Sequence, residues 1–252
     1  MKTLSVVVIT LNEERNIARC LKSVQQIADE IIVLDAFSTD QTVDIATSLG
    51  AQVVQRKWEG YSASKNHLNS LTTCDYILSL DADEALSPDL IEELKAEKST
   101  SFTGTYHVNR MTNYCGKWIK HSGWFPDIKP RLFPKEGSYW SGEYVHEVLI
   151  SPEFEKKVFQ GIVEHYSYYS YTDHRARADK YSLLTAQKFH AAGKKVSFLK
   201  PYLSALGRFV GMYFFKLGFL DGWMGFKIAQ ISAQSNVLKY KELLRLNKSK
   251  KQ

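Results

Sequence analysis

The chain has 252 residues, of which 44% are hydrophobic and 24% are charged, a balance that excludes a disordered protein. Its net charge of +6 is unevenly placed, because residues 194–252 carry 12 Lys and Arg against 2 Asp and Glu, whereas residues 1–193 are net acidic. The three cysteines are isolated, which argues against a disulfide framework or a zinc finger and favours a reducing, cytoplasmic compartment.

The N-terminus lacks the features of a signal peptide. The apolar run after Lys2 is short, and charged residues follow it directly. The most apolar later segment, residues 202–226, is interrupted by Arg208, Lys216 and Asp221. We therefore expect no membrane-spanning segment.

Strand and helix signals alternate through the first hundred residues. A β-branched strand over residues 4–10 precedes a helix that Asn12 can cap. Further strands are predicted over residues 30–34, 51–55 and 76–80, and further helices over residues 43–49, over residues 62–71 and from Ser87-Pro88 onward. This alternation predicts a mostly parallel sheet with helices on both faces.

Carboxylates end two of these strands. Asp35 follows the second strand, and Asp81 and Asp83 follow the fourth. Because ligands bind at the carboxyl ends of the strands in such sheets, the three side chains predict a polar binding site at that edge.

The regular alternation stops near Gly104. Residues 114–149 are dense in Trp, Tyr, Gly and Pro, which is typical of an irregular wall over a pocket. From Asp173 the pattern becomes helical, and from residue 194 it is also basic and amphipathic.

Four motifs in this order resemble the inverting family 2 glycosyltransferases, which have the GT-A fold. They are SVVVITLNEERNIARCLKS from Ser5, IIVLDAFSTDQTVDIA from Ile31, KN at Lys65-Asn66, and LSLDADE from Leu78. The later segments HSGWFPDIKPRLF, YVHEVL, EHYSY and FFKLGFLDGWMGF resemble the lipopolysaccharide-core β-1,4-glucosyltransferases. Together these motifs cover nearly the whole chain.

The resemblance implies a domain organisation. Residues 1–193 would form a GT-A-type α/β domain, with a nucleotide-sugar half over residues 1–110 and an aromatic acceptor region over residues 111–170. Residues 194–252 would form a basic, amphipathic, helical segment that associates with a membrane.

The DxD pattern Asp81-Ala82-Asp83 implies a divalent cation, Mg²⁺ or Mn²⁺, held by carboxylate oxygens. Such a cation offsets the charge of a departing nucleoside diphosphate. The resemblance makes Asp83 the direct ligand, Asp81 a ligand through water or a ribose contact, and His165 a third ligand. The alternatives are that both aspartates are turn or helix-cap residues and that His165 is a packed or surface histidine.

The resemblance also assigns Asp35, Lys65 and Asn12 to the binding of the nucleotide sugar, together with Asp81. Asp35 would recognise the nucleoside, although Ala36 stands where many relatives carry a second acid. Lys65 would lie near the pyrophosphate. The alternatives are that Asp35 caps the following turn and that Lys65 is a solvated helix residue.

Inversion requires a carboxylate that removes the proton of the acceptor hydroxyl. The Glu-Asp pair that supplies this base in the relatives is absent here. The first candidate for the base is therefore Glu147, and the next candidates are Asp127 and Glu143. The alternative for Glu147 is a structural ion pair with an arginine such as Arg131.

The resemblance implies transfer of glucose from UDP-glucose to a hydroxyl of a lipid-linked glycan, with lipopolysaccharide inner-core heptose as acceptor. Another nucleotide sugar or another cell-surface glycan, such as a polyprenyl-linked one, remains an alternative. The enzyme would sit on the inner face of the cytoplasmic membrane, where the basic C-terminal segment meets anionic lipid. The alternative for this segment is a packed helix with a solvated basic end.

The apolar area of the C-terminal segment would come from Phe209, Tyr213, Phe214, Leu217 and Phe219, with Trp223 at the interface. Nucleotidyl transfer is disfavoured, because no Gly-rich loop follows the first strand. Nucleic-acid binding is not expected, because residues 1–193 are net acidic.

Overall fold

The computed structural model of the chain describes residues 2–142, 147–152 and 155–249, which belong to two units. The first unit comprises Met1–Met111 and Asp127–Tyr166, and the second comprises Thr112–Pro126 and Ser167–Gln252. This division differs from the predicted boundary at residue 193, because the long helix that begins at Tyr171 groups with the C-terminal helices.

A parallel half-sheet forms the start of the first unit. Its strands are β1 (Leu4–Thr10), β2 (Glu30–Asp35), β3 (Gln52–Gln55) and β4 (Tyr76–Asp81), in the order β3-β2-β1-β4. The intervening helices are α1 (Ile17–Val24), α2 (Thr42–Ser48) and α3 (Tyr61–Leu71). The predicted alternation is therefore confirmed.

Antiparallel strands extend this sheet. The remaining elements up to residue 168 are β5 (Glu84–Leu86), α4 (Pro88–Thr100), β6 (Thr105–Tyr114), β7 (Lys117–Trp118), β8 (Ile128–Pro134), β9 (Tyr139–Ser141), β10 (Val148–Ile150) and β11 (Lys156–Tyr168). Strand β8 pairs with β4, and β6, β11 and β5 follow in that order, while β9 and β10 form a separate hairpin.

Helices cover both faces of the parallel half-sheet because successive side chains of a strand point to opposite sides. Val6 and Val8 of β1 pack in one buried cluster with residues of α1, α2 and α4. Val7 and Ile9 pack in another with Leu68 of α3. Both faces of β1 are therefore buried, which explains its uninterrupted apolar sequence.

The prediction that Asn12 caps the first helix is wrong, because α1 begins only at Ile17, after Asn16. Asn12 has a φ of 54°, in the left-handed region that asparagine tolerates. Its side-chain oxygen accepts a hydrogen bond from the Thr39 amide at 2.8 Å, and its own amide donates to the Ser38 hydroxyl. Asn12 thus ties the loop after β1 to the loop after β2.

The second unit is mainly helical. It contains β7, α5 (Tyr171–Ala191), α6 (Lys200–Val210), a π-helical turn (Gly211–Phe215), a 3₁₀ turn (Gly218–Asp221) and α7 (Gly222–Ser249). The carboxylate of Asp221 is buried and accepts hydrogen bonds from the amides of Lys120 and His121 and from the Ser122 hydroxyl. These bonds anchor the loop after β7 to the 3₁₀ turn.

No single helix in the described parts of the chain is both long and apolar enough to cross a membrane. One pair of consecutive helical segments passes the same test of length and composition when the two are taken together. The segments are Lys200–Phe215 and Gly218–Lys248, and the chain bends by 72° between them.

Candidate active site

A buried ion pair fixes the turn that carries the DxD pattern. Glu84 is 1% exposed, and its carboxylate accepts from Arg131 and, at 3.4 Å, from Arg110. The other oxygen of Glu84 accepts from the backbone amide of Asp81 at 3.1 Å. Glu84, the second acid after strand β4, therefore has a structural role, because it holds the chain where it leaves β4.

Asp81 lies between two cations. Its Oδ2 atom is 3.4 Å from Arg131, and its Oδ1 atom is 3.7 Å from Nζ of Lys65. Burial alone raises the pKa of Asp81, but the charges of Lys65 and Arg131 outweigh it and hold the pKa well below the usual range. Oδ1 is buried and accepts no hydrogen bond from the residues that the structure describes, so the hydrogen-bonding capacity of this oxygen is unused.

Lys65 joins Asp81 to Glu147. The side chain of Lys65 is 3% exposed, so the alternative of a solvated helix lysine is wrong. Its Nζ donates to Oε1 of Glu147 at 3.1 Å and lies 4.6 Å from the centre of the Trp140 ring. The structure therefore brings two predicted site residues, Lys65 and Glu147, to the end of β4, and pairs Glu147 with a lysine rather than with Arg131.

Asp83 faces His165. Oδ2 of Asp83 is 3.2 Å from Nε2 of His165, and the Asp83 carbonyl accepts from the Tyr166 amide at 2.8 Å. His165 is held at this position because β11 pairs with β5, with His165 opposite Glu84.

The Asp83 and His165 atoms fit a small divalent cation. Two ligands about 2.1 Å from one cation at right angles lie about 3 Å apart, close to the observed separation. Across the described residues, no three His, Cys, Asp or Glu side chains converge on one point. The same separation is also that of a hydrogen bond between the two side chains. Mg²⁺ is commonly bound by one or two carboxylates while substrate phosphates and water complete its shell, and Asp83 supplies one such carboxylate, whereas imidazole is typically a ligand of transition metals.

Asp35 lies on the same edge of the sheet. Asp35 is beside Thr10 of β1 and Asp81 is beside Ile9, so strand spacing puts their Cα atoms about 10 Å apart. The Asp35 carboxylate is buried and accepts from the amide and hydroxyl of Ser38 and from Gln55. These contacts favour the alternative that Asp35 stabilises the turn after β2.

Asp127, the second candidate for the base, is held by Arg110 at 2.7 Å and Lys129 at 3.0 Å. Burial raises the pKa of Asp127, but these cations lower it further than burial raises it. A carboxylate with a depressed pKa is a weak proton acceptor, so Asp127 suits this role poorly. The third candidate, Glu143, lies outside the described residues.

Sequence reasoning missed the roles of Glu84, Arg110 and Trp140. Glu84 carried a signal, because an acid directly after a buried strand requires a partner. Arg110 and Trp140 carried none, since they reach the site through the antiparallel strand β6 and the hairpin strand β9.

The model of the family described as "Glycosyl transferase family 2" matches residues 5–159. These residues contain β2 to β4, β1 from its second residue, and every described residue of the site except His165. The chain therefore belongs to glycosyl transferase family 2, and it is a glycosyltransferase with a GT-A-type α/β fold and long C-terminal helices. The predicted family and fold class are confirmed.

Relatives match along almost the whole chain. An uncharacterized glycosyltransferase of Rickettsia typhi is 32% identical over 98% of this chain and 88% of its own length. A second, of Rickettsia prowazekii, is 33% identical over 96% of this chain and 87% of its own length. Among solved structures, a Mycobacterium tuberculosis glucosyl-3-phosphoglycerate synthase in complex with Mn²⁺ and UDP-glucose is 28% identical, with 44% of each chain covered and a TM-score of 0.37.

Proposed function

We propose that this enzyme transfers a hexose, with inversion, from a nucleoside diphosphate sugar to a hydroxyl group in a reaction that depends on a divalent cation. The observation that carries the proposal is the grouping of Lys65, Asp81 and Glu147 at the end of β4, next to the Asp83 and His165 pair. This set supplies a proton acceptor, a fixed positive charge and a cation-binding pair.

Asp83 and His165 would hold the cation, and Asp81 would contact the donor or the cation through Oδ1, which accepts no hydrogen bond from the described residues. When bound, a divalent cation offsets the negative charge that develops on the leaving diphosphate. Glu84 accepts from the Asp81 amide and Arg131 donates to the Asp81 carboxylate, so Asp81 would enter the reaction already positioned.

The proposed reaction is one displacement. The acceptor oxygen forms a bond to the anomeric carbon while the bond from that carbon to the diphosphate oxygen breaks, and the diphosphate leaves with the electron pair. Glu147 accepts the proton of the acceptor hydroxyl. Lys65 contacts both Glu147 and Asp81. Its positive charge lies between the two carboxylates, and its hydrogen bond to Glu147 fixes the orientation of that side chain.

The donor that we favour is UDP-glucose, and the acceptor that we favour is a heptose of the lipopolysaccharide inner core. Both assignments rest on the resemblance of the motifs after Gly104 to lipopolysaccharide-core β-1,4-glucosyltransferases. Another nucleotide sugar, or a polyprenyl-linked glycan, is the second candidate.

Calorimetric titration tests the donor site. We expect one UDP-sugar among UDP-glucose, UDP-galactose and UDP-N-acetylglucosamine to bind in Mn²⁺ and to bind more weakly in chelator. Asp83→Ala is expected to weaken binding at least about tenfold, since even changes beyond the ligands cost that much in metal sites. The matched control is Glu92→Ala, which removes a carboxylate that is exposed on α4. Binding that is indifferent to both the metal and Asp83 would refute the proposed site.

We also propose that the second unit binds the inner face of the cytoplasmic membrane. Between residues 198 and 223, many large apolar side chains are exposed, among them Phe198, Leu203, Leu206, Phe215 and Trp223. Phe214, Leu217 and Phe219 are exposed as well, whereas Phe209 and Tyr213 pack in the core of the unit. An apolar surface of this kind, in a segment with a large excess of Lys and Arg, suits an anionic bilayer.

Vesicle sedimentation tests this association. The variant Leu203→Gln/Leu206→Gln/Phe215→Gln removes apolar area from the surface and leaves every charge in place. We expect it to bind vesicles of phosphatidylglycerol and phosphatidylcholine at least about tenfold more weakly, because each buried CH₂ contributes about 0.8 kcal/mol. Binding equal to that of the unaltered protein would show that this surface does not enter the membrane.

A further inference from the structure

We infer that a cleft between α5, α6 and α7 binds the phosphate group of an anionic lipid. This inference rests on the proposed membrane association of the second unit. The cleft has a volume of about 230 Å³, which is smaller than the sites of drug-sized ligands and suits a single headgroup. Every residue that lines it belongs to the second unit.

The first observation is uncompensated positive charge. Arg208 of α6 and Lys239 of α7 both line the cleft, and no Asp or Glu is among its described lining residues. Arg208 forms no ion pair with any carboxylate of the described residues. Burial, and then the charge of Arg208, lower the pKa of Lys239. Two cations that repel each other across a polar cleft form a site for an anion.

The second observation is a set of neutral hydrogen-bonding groups beside these cations. Ser232, Ser235 and Asn236 line the cleft from the same side of α7 as Lys239, at helical spacing. The Ser235 hydroxyl is buried and finds no hydrogen-bond partner among the residues described. Asn236 accepts from Nζ of Lys239 at 2.7 Å and donates to the Ser204 carbonyl at 3.2 Å, so it orients the lysine and links α7 to α6.

These groups match the chemistry of phosphate. A phosphate oxygen accepts charge-assisted hydrogen bonds from a guanidinium and an ammonium group and further bonds from hydroxyls. His174, which also lines the cleft, is buried and hydrogen-bonded to the Tyr114 hydroxyl at 2.8 Å. Burial and the charge of Arg177 lower its pKa to about 4, so His174 is neutral at physiological pH and leaves the charge of the cleft to Arg208 and Lys239.

The position of the cleft favours a lipid as the source of the phosphate. Helix α6 supplies Arg208 to the cleft and also exposes Leu203 and Leu206, and Leu199, directly before its first residue, is exposed as well. A bilayer that covers these leucines brings its headgroup layer to the same helix. Apolar contact and phosphate binding would then act together, as in membrane anchoring by two signals.

The test compares two double variants that lower the net charge equally. Arg208→Gln/Lys239→Gln removes both cations of the cleft, and Lys188→Gln/Lys241→Gln removes two exposed lysines of α5 and α7 that lie outside it. The affinity of each variant for vesicles of phosphatidylglycerol and phosphatidylcholine is measured, and thermal melting followed by circular dichroism checks that each variant is folded. We expect the cleft variant to bind at least about tenfold more weakly than the control variant, because two charge-assisted contacts are lost.

The outcomes separate the cleft from the membrane proposal. Equal losses in the two double variants would overturn the cleft and leave the apolar surface intact as a membrane contact. Absence of vesicle binding by the unaltered protein would overturn both. Calorimetry with inorganic phosphate and with glycerol phosphate tests a soluble source. Tight binding of either anion, together with vesicle binding that the cleft variant retains, would overturn the assignment to lipid.

Discussion

Replacing Arg131 by methionine is expected to lower the free energy of unfolding by about 3–5 kcal/mol, because it leaves a buried carboxylate without its main partner. Glu84 is almost fully buried, and Arg131 also contacts Asp81. Arg110 keeps a contact with Glu84 at 3.4 Å, so we expect a loss near the lower end of this range. Urea unfolding, followed by circular dichroism, measures the change.

Lys129→Met is the matched control for Arg131→Met. Lys129 is on the same strand, β8, and pairs with Asp127 at 3.0 Å, but its side chain is 46% exposed. We expect a loss below about 1 kcal/mol for this exposed pair. The double variant Glu84→Met/Arg131→Met should lose less stability than the two single variants together, since neither charge is then left alone. Equal effects of Arg131→Met and Lys129→Met would show that the buried network does not hold the turn.

Glu147→Gln is expected to lower kcat by about 100- to 10,000-fold, the range that general base catalysis contributes. The glutamine oxygen can still accept the hydrogen bond of Lys65, so the site keeps its arrangement, but an amide cannot take up a proton. Donor affinity should therefore change little, by less than about threefold. Release of nucleoside diphosphate from the donor identified by calorimetry gives kcat, and the calorimetric titration gives the affinity.

Asp127→Asn is the control for this assignment. Because Arg110 and Lys129 depress the pKa of Asp127, its carboxylate is a poor proton acceptor, and we expect kcat to fall less than about tenfold. A large loss in Asp127→Asn together with near-normal turnover in Glu147→Gln would transfer the role of base to Asp127. If Glu147→Gln instead lost donor affinity and stability while kcat was kept, Glu147 would be a structural partner of Lys65.

Much of the parallel half-sheet could be predicted from the sequence, because its information is local. The apolar run of β1 and the Ser87-Pro88 start of α4 are examples, because each signal lies within the residues of the element that it predicts. The prediction for Asn12 failed for a related reason. Asparagine suits both a helix cap and a left-handed loop residue, and only contacts with Ser38 and Thr39 decide between them.

The sequence by itself determined the family, the order of strands and helices up to the end of β4, and the carboxyl ends of strands at which Asp35, Asp81 and Asp83 lie. Periodicity and short motifs encode these features. Only the tertiary structure decided how the charges pair. Glu84 meets Arg131 across 47 residues, and Lys65 meets Glu147 across 82. The physical reason is that a buried charge takes whichever opposite charge the packing of distant strands brings within reach, and no local pattern records that distance.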